Sequence, residues 1–237
     1  ASDRFELGQW LKGRIRGSWS DLSPDGKRLI YFAHNGKPGP TEGSWTAISD
    51  APWLRARVLL GKGDMWGGGG FWTSNDTYWL DERGGTHEML RDDPGIRRDQ
   101  DLEPAQMTQM YRGLSIRHMR LLQAGWAYRD EAVGPMGWTR SLDPSGWTLT
   151  WLYPPSSESR HSPAIYALKR QLPDSEAQTL PQPDWDWADY DSDRSRVLWT
   201  SKGVIYGARI AADGLGSPKT LFDCNPLTFQ EIQAPYD

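Results

Sequence analysis

One recurring pattern restricts the fold of this chain more than any other feature of its sequence. Residues 19–32 read WSDLSPDGKRLIYF, a short strand, a tight turn and a second strand. Ser23-Pro24-Asp25-Gly26 is turn chemistry: proline presets φ at the first central position, aspartate bonds its own backbone, and glycine accepts φ > 0. Leu29-Ile30-Tyr31-Phe32 then supplies a β-branched and aromatic run. The plan returns where Trp187-Ala188-Asp189-Tyr190 leads to Val197-Leu198-Trp199; Trp19 to Leu29 and Trp187 to Val197 both span ten positions. Between them, Trp138, Leu142, Pro144 and Gly146 lead to Leu149-Thr150-Trp151 on the same plan with one residue inserted. Such self-similarity reads as a repeat protein.

The 237 residues allow one large domain or two small ones, and the recurrence favours one domain over 1–237. Apolar residues make up only 37%, yet there are 14 Trp and 9 Tyr, so the core is expected to be aromatic rather than aliphatic. The 25 Gly and 17 Pro demand frequent turns. Long helical periodicity is nearly absent, and fewer than about 10% helical residues are expected against the usual third. The fold class is all-β. Four strands in about 45 residues is the size of one propeller blade, which gives about five four-stranded blades. Ring closure would remove the exposed strand edges.

In chain order, a short strand is expected within 11–16, then strands at 19–22, 29–32, 44–48 and 55–60. A hairpin over 71–80 turns at Asn75-Asp76, and 87–90 is a further strand. Residues 91–104 read as a charged, solvated loop. Residues 114–122 and 125–128 read as a hairpin, with a short helix at 105–111 as the competing reading. The unit from 138 to 168 carries a long loop at 156–162. Residues 171–183 form a polar connector, and strands at 204–210 and 217–222 follow.

The Ser23-Pro24-Asp25-Gly26-Lys27 turn followed by Leu29-Ile30-Tyr31 resembles the repeats of TolB-type and other WD40-like bacterial β-propellers. Leu142-Asp143-Pro144-Ser145-Gly146 is a weaker copy, and the resemblance covers about a third of the chain. It implies a propeller of bacterial type that acts as a binding platform; some such proteins also carry peptidase or glycosidase domains. Function taken from a fold is analogy, so the residues are weighed separately.

The net charge of −4, with both signs mixed along the chain, gives no basic patch for nucleic acid. No apolar run approaches the roughly 18 residues of a membrane span, so no membrane insertion is expected. The single Cys224 cannot form an intramolecular disulfide. That fits a reducing, cytoplasmic setting, with a periplasmic or secreted one open if a leader preceded Ala1. A monomer is expected.

No G-x-S-x-G occurs, and His34, His87, His118 and His161 fall in different units beside polar or charged residues, where a solvated surface role is the simple reading. Neither H-E-x-x-H nor a cysteine pair is present. Asp189-Tyr190-Asp191-Ser192-Asp193 has D-x-D-x-D spacing, but Arg194 and Thr200 stand where an EF-hand needs Gly and Glu, so a hairpin turn is the better reading. The glycines after Trp66 are followed by Phe71 and Trp72, not by the lysine of a phosphate loop. No cofactor is implied, and the chain leans away from catalysis.

The oddest stretch is GKGDMWGGGG at 61–70. Four successive glycines weaken a strand and mark close approach of backbone to backbone or to a ligand. Asp64, Trp66, Gly68, Gly69 and Trp72 are therefore candidate binding residues, together with Arg55 and with Trp185, Asp186 and Asp189. Two functions fit. The first is a non-catalytic platform, adaptor or inhibitor that binds a protein or peptide. The second is a carbohydrate-binding or glycoside-hydrolysing protein that stacks sugars on loop tryptophans; hydrolysis would need two carboxylates about 5–9.5 Å apart. Crowded glycines and packed tryptophans are the structural alternative to both.

Overall fold

The structure is a computed structural model that describes residues 3–37, 39, 43–82, 85–102, 116–129, 137–152, 165–171 and 177–236. The expected helix at 105–111, the loop at 156–162 and His161 lie outside the described residues. The chain divides into two compact units, one of Glu6–Leu121 with Phe229–Asp237, the other of Ala1–Phe5 with Leu122–Thr228. They are called here the 6–121 unit and the 122–228 unit.

In the 6–121 unit the strands are β1 (Arg14–Ile15), β2 (Asp21–Leu22), β3 (Arg28–His34), β4 (Ser44–Asp50), β5 (Val58–Gly61), β6 (Gly70–Trp72), β7 (Thr77–Leu80), β8 (Glu88–Arg91) and β9 (Arg97–Arg98). One sheet runs β1-β3-β4-β5-β8 with β2 also on β3, and a second runs β6-β7-β9. Every pair is antiparallel except β7 with β9. The sheets meet through Ile30, Ile48, Val58 and Leu60 from the first and Trp72, Tyr78 and Leu80 from the second, with Ile96 alongside. Burying side chains of this size contributes about 1.5–3 kcal/mol each.

The 122–228 unit holds β10 (Ala127–Arg129), β11 (Gly137–Ser141), β12 (Trp147–Leu152), β13 (Ile165–Arg170) and β14 (Gln178–Gln182) in sequential antiparallel order. Its second sheet is β15 (Trp187–Asp191), β16 (Arg196–Ser201) and β17 (Val204–Ala211), with β18 (Gly214–Leu215) and β19 (Lys219–Asp223) both on β17. Aromatic side chains form its core, as the composition anticipates. Trp151, Tyr166, Trp185, Trp199 and Tyr206 make a continuous ladder, with the Trp185 and Trp199 rings 4.9 Å apart and the Trp199 and Tyr206 rings 5.6 Å apart.

The all-β class therefore holds, with four antiparallel or mixed sheets among the described residues. Two of the three similar turns share a hydrogen-bond pattern. Ser23 N–H donates to Arg28 C=O and Gly26 N–H to Ser23 C=O; Leu142 N–H donates to Trp147 C=O and Ser145 N–H to Leu142 C=O. The two turns thus share one hydrogen-bond pattern although their prolines stand one position apart and only Asp143-Pro144 is a cis peptide. Gly26 has φ +71°, as its place in the turn predicts.

Three expectations are corrected. Residues 116–123 are an α-helix, α1 (Ile116–Gln123), and not the first strand of a hairpin. Ile116 and Met119, one helical turn apart, both pack on Phe71 and Trp79, and that 3.6-residue spacing overrides the β reading. The connector at 171–183 contains strand β14. Its Pro181 is tolerated because β14 is an edge strand, where one missing N–H costs no central ladder bond. The solvated loop at 91–104 likewise includes the two-residue strand β9.

Candidate functional site

β5 ends at Gly61, and the chain leaves the sheet into the loop that carries Trp66. Lys62 N–H and Gly63 N–H both donate to Ser44 C=O at the start of β4. The Ser44 hydroxyl donates to Asp64 C=O. The Asp64 carboxylate then divides its two oxygens: Oδ1 accepts the Trp66 N–H at 2.8 Å, and Oδ2 lies 3.4 Å from Lys62 Nζ. Lys62 is buried, its side chain only 2% exposed, and it also donates to Gly85 C=O at 3.1 Å. A buried ammonium needs such partners, so Lys62 fixes Asp64 and Asp64 fixes the backbone of Trp66. Trp66 itself is 77% exposed.

The loop returns to the fold through glycines that are buried. Gly69 has φ +76°, and a Cβ placed there would overlap the Trp19 carbonyl oxygen. A Cβ on Gly68 would come within 2.5 Å of the Phe32 ring. These glycines are required by close packing and are not themselves a contact surface. Gly69 N–H donates to Thr46 Oγ1 at 2.8 Å, and Thr46 Oγ1 lies 3.2 Å from His87 Nε2. On the other side of the ring, His87 Nδ1 faces Glu82 Oε1 at 3.8 Å. Burial, and then the nearby Lys62 charge, pull the His87 pKa down to about 4 against the opposing pull of Glu82. His87 is therefore a neutral imidazole under the loop, with a side chain 0% exposed. The surface reading made for it from sequence is overturned: it faces the hydroxyl on β4, away from the charged residues beside it in sequence.

The other candidates fall elsewhere. Trp72 is buried between the sheets at 1% exposure, and Trp185 is buried in the aromatic ladder, so neither offers a face to a ligand. Arg55 C=O accepts the Tyr236 hydroxyl. Asp186 Oδ2 caps Lys202 N–H at 3.1 Å. Asp189 binds the Arg140 guanidinium and accepts from Trp126 Nε1 at 3.2 Å. Asp191 accepts from Arg194 and Arg196, so the D-x-D-x-D stretch is a guanidinium-paired hairpin, turning through Ser192–Arg194 with Ser195 at φ +48°. Trp185, Asp186 and Asp189 lie in the 122–228 unit, whereas Arg55, Asp64, Trp66, Gly68, Gly69 and Trp72 lie in the 6–121 unit.

Sequence reasoning found Asp64, Trp66 and the glycines but missed Ser44, Thr46, Lys62 and His87 beneath them. One signal was available: Ser44, Thr46 and Ile48 alternate along β4, so two hydroxyls share the inward face with Ile48 and require buried polar partners. Comparison with protein families, with curated proteins and with solved structures gives no match. No helix among the described residues is long and apolar enough to cross a membrane.

Proposed function

We propose that this chain is a non-catalytic binding protein of β-propeller type, and that it engages a protein or peptide through Trp66. The shared turn and the sequential antiparallel runs β10–β14 and β15–β17 support the propeller reading, with the sheets as blades. The observation that carries the binding role is the contrast between Trp66 and its support. Its indole is 77% exposed, yet its backbone is tied through Asp64 to the buried Lys62. A large exposed aromatic on a tethered backbone loses little backbone entropy on contact, which suits an interface anchor. His87, sealed under the loop, has no access to a substrate.

A glycan is the second reading. It is favoured by Asp64, whose side chain is 47% exposed next to Trp66 and so offers a carboxylate beside a stacking surface. Panning a displayed random-peptide library and probing a glycan array, each with the wild-type chain and with Trp66→Ala, decides between them. Peptides that enrich on wild type and not on Trp66→Ala support the first reading. Array signals lost in Trp66→Ala support the second. Ligands bound equally by both proteins defeat the assignment to Trp66.

A further inference from the structure

The 122–228 unit carries an open groove of about 870 Å³ beside the β15–β16 hairpin. Its cations are Arg194, Arg196, Arg209 and Lys219; its acids are Asp193 and Asp3. Asp3 comes from the far end of the sequence. Its carboxylate meets Arg196 end-on, with Nη1 2.8 Å from Oδ2 and Nη2 2.7 Å from Oδ1, while Arg194 Nη1 lies 3.2 Å from Oδ1. The remaining nitrogen of that fork, Arg196 Nε, donates to Asp191 at 2.8 Å. Asp191 thus orients the guanidinium and leaves its planar two-donor edge for a carboxylate, the geometry that favours arginine over lysine. Two residues on, Phe5 stacks on Phe222 of β19 with ring centroids 5.0 Å apart and planes 22° apart.

We infer that this groove, together with the Phe222 ring outside it, is a peptide-binding site that reads an acidic residue and an aromatic two positions later, and that the chain's own Asp3, at the groove wall, and Phe5, on Phe222, hold those two positions here as an intramolecular ligand. Three observations converge. The arginine fork is preset by Asp191 independently of Asp3. The groove retains an excess of positive charge once Asp3 leaves, so an acidic occupant fits. About 870 Å³ stays open beside Asp3, room for more of a peptide than the segment itself supplies. The occupant is an extended acidic-aromatic peptide, which the segment displaces or admits by competition. This site lies in the other unit from Trp66, and the two assignments stand or fall separately.

The test uses the full chain and a labelled peptide of residues 1–6, ASDRFE, read by fluorescence anisotropy. Wild type, Asp3→Asn/Phe5→Ala, and that double variant with Arg196→Gln are compared. The double variant, freed of its own segment, is expected to bind the peptide at least tenfold more tightly than wild type, and Arg196→Gln to abolish the gain. Peptides with the aspartate changed to asparagine or the phenylalanine to alanine are expected to bind about tenfold more weakly. If the double variant does not fold, Asp3→Asn alone serves for the same comparison. A folded variant with no gain in affinity overturns the inference, as does equal binding of the asparagine peptide. Unfolding of Asp3→Asn would make the segment an integral part of the unit and overturns it too. So does self-association of wild type without peptide binding, which would make a second copy the occupant.

Discussion

The hydroxyl of Thr46 lies 3.2 Å from Nε2 of His87, and that single contact joins the Trp66 loop to a buried imidazole. Thr46 also accepts from Gly69 N–H, so this one hydroxyl touches both the loop backbone and the imidazole. Charging His87 would place an imidazolium in a site closed to water, close to the Lys62 ammonium. The loop and the charge state of His87 are therefore linked.

That linkage has a sign. In the unfolded chain the imidazole titrates near its ordinary value of about 6.5. In the folded chain it is held down to about 4. Between these values the unfolded state binds a proton that the folded state does not, so stability is complete above pH about 6.5 and is lost as pH falls toward 4. A shift of this size corresponds to an effect on the order of 3 kcal/mol. His118, also lowered to about 4, chiefly by burial, acts in the same direction. Urea unfolding between pH 7.5 and 4.5 should show a falling free energy, with a shallower fall in His87→Asn. A flat profile would show that His87 is charged in the folded state.

Gly69→Ala should destabilise the fold by at least about 2–4 kcal/mol. The new Cβ adds left-handed strain to an overlap with backbone, which cannot rotate away as a side chain could. Thermal melting measures it, at about 2–4 °C per kcal/mol for a chain of this size. An unshifted melt would mean that the Trp19 carbonyl is not where this packing puts it.

Gly26→Ala isolates the conformational part. Its φ is similarly positive at +71°, but nothing lies within 4 Å of an added Cβ. The cost should be only about 1–2 kcal/mol, clearly less than for Gly69→Ala. Equal costs at the two positions would remove the steric argument for Gly69.

Much of the architecture was legible because it is written in local chemistry. The turn at Ser23 to Arg28 needs proline, aspartate and glycine in order, and the strand after it is a continuous apolar run with β-branched and aromatic members. The helix α1 was not legible as such, because Ile116 and Met119 reveal their period only when Phe71 and Trp79 are there to receive them. Trp66 stood out through its glycine neighbours. Its support did not, since Thr46, Lys62 and His87 come from three separate segments and each taken alone has an ordinary explanation. The pairing of Asp3 with Arg196 joins residues far apart in sequence, and no spacing rule announces it.

Under the proposed function, Trp66 is an anchor that the fold presents but does not need. The deciding measurement is the affinity of a library-selected ligand for wild type and for Trp66→Ala, taken with the melting temperature of each protein. Loss of a central interface tryptophan costs about 2 kcal/mol or more, so binding should weaken by about 30-fold or more while the melting temperature stays nearly unchanged. Unaltered affinity in a well-folded Trp66→Ala protein would contradict the account.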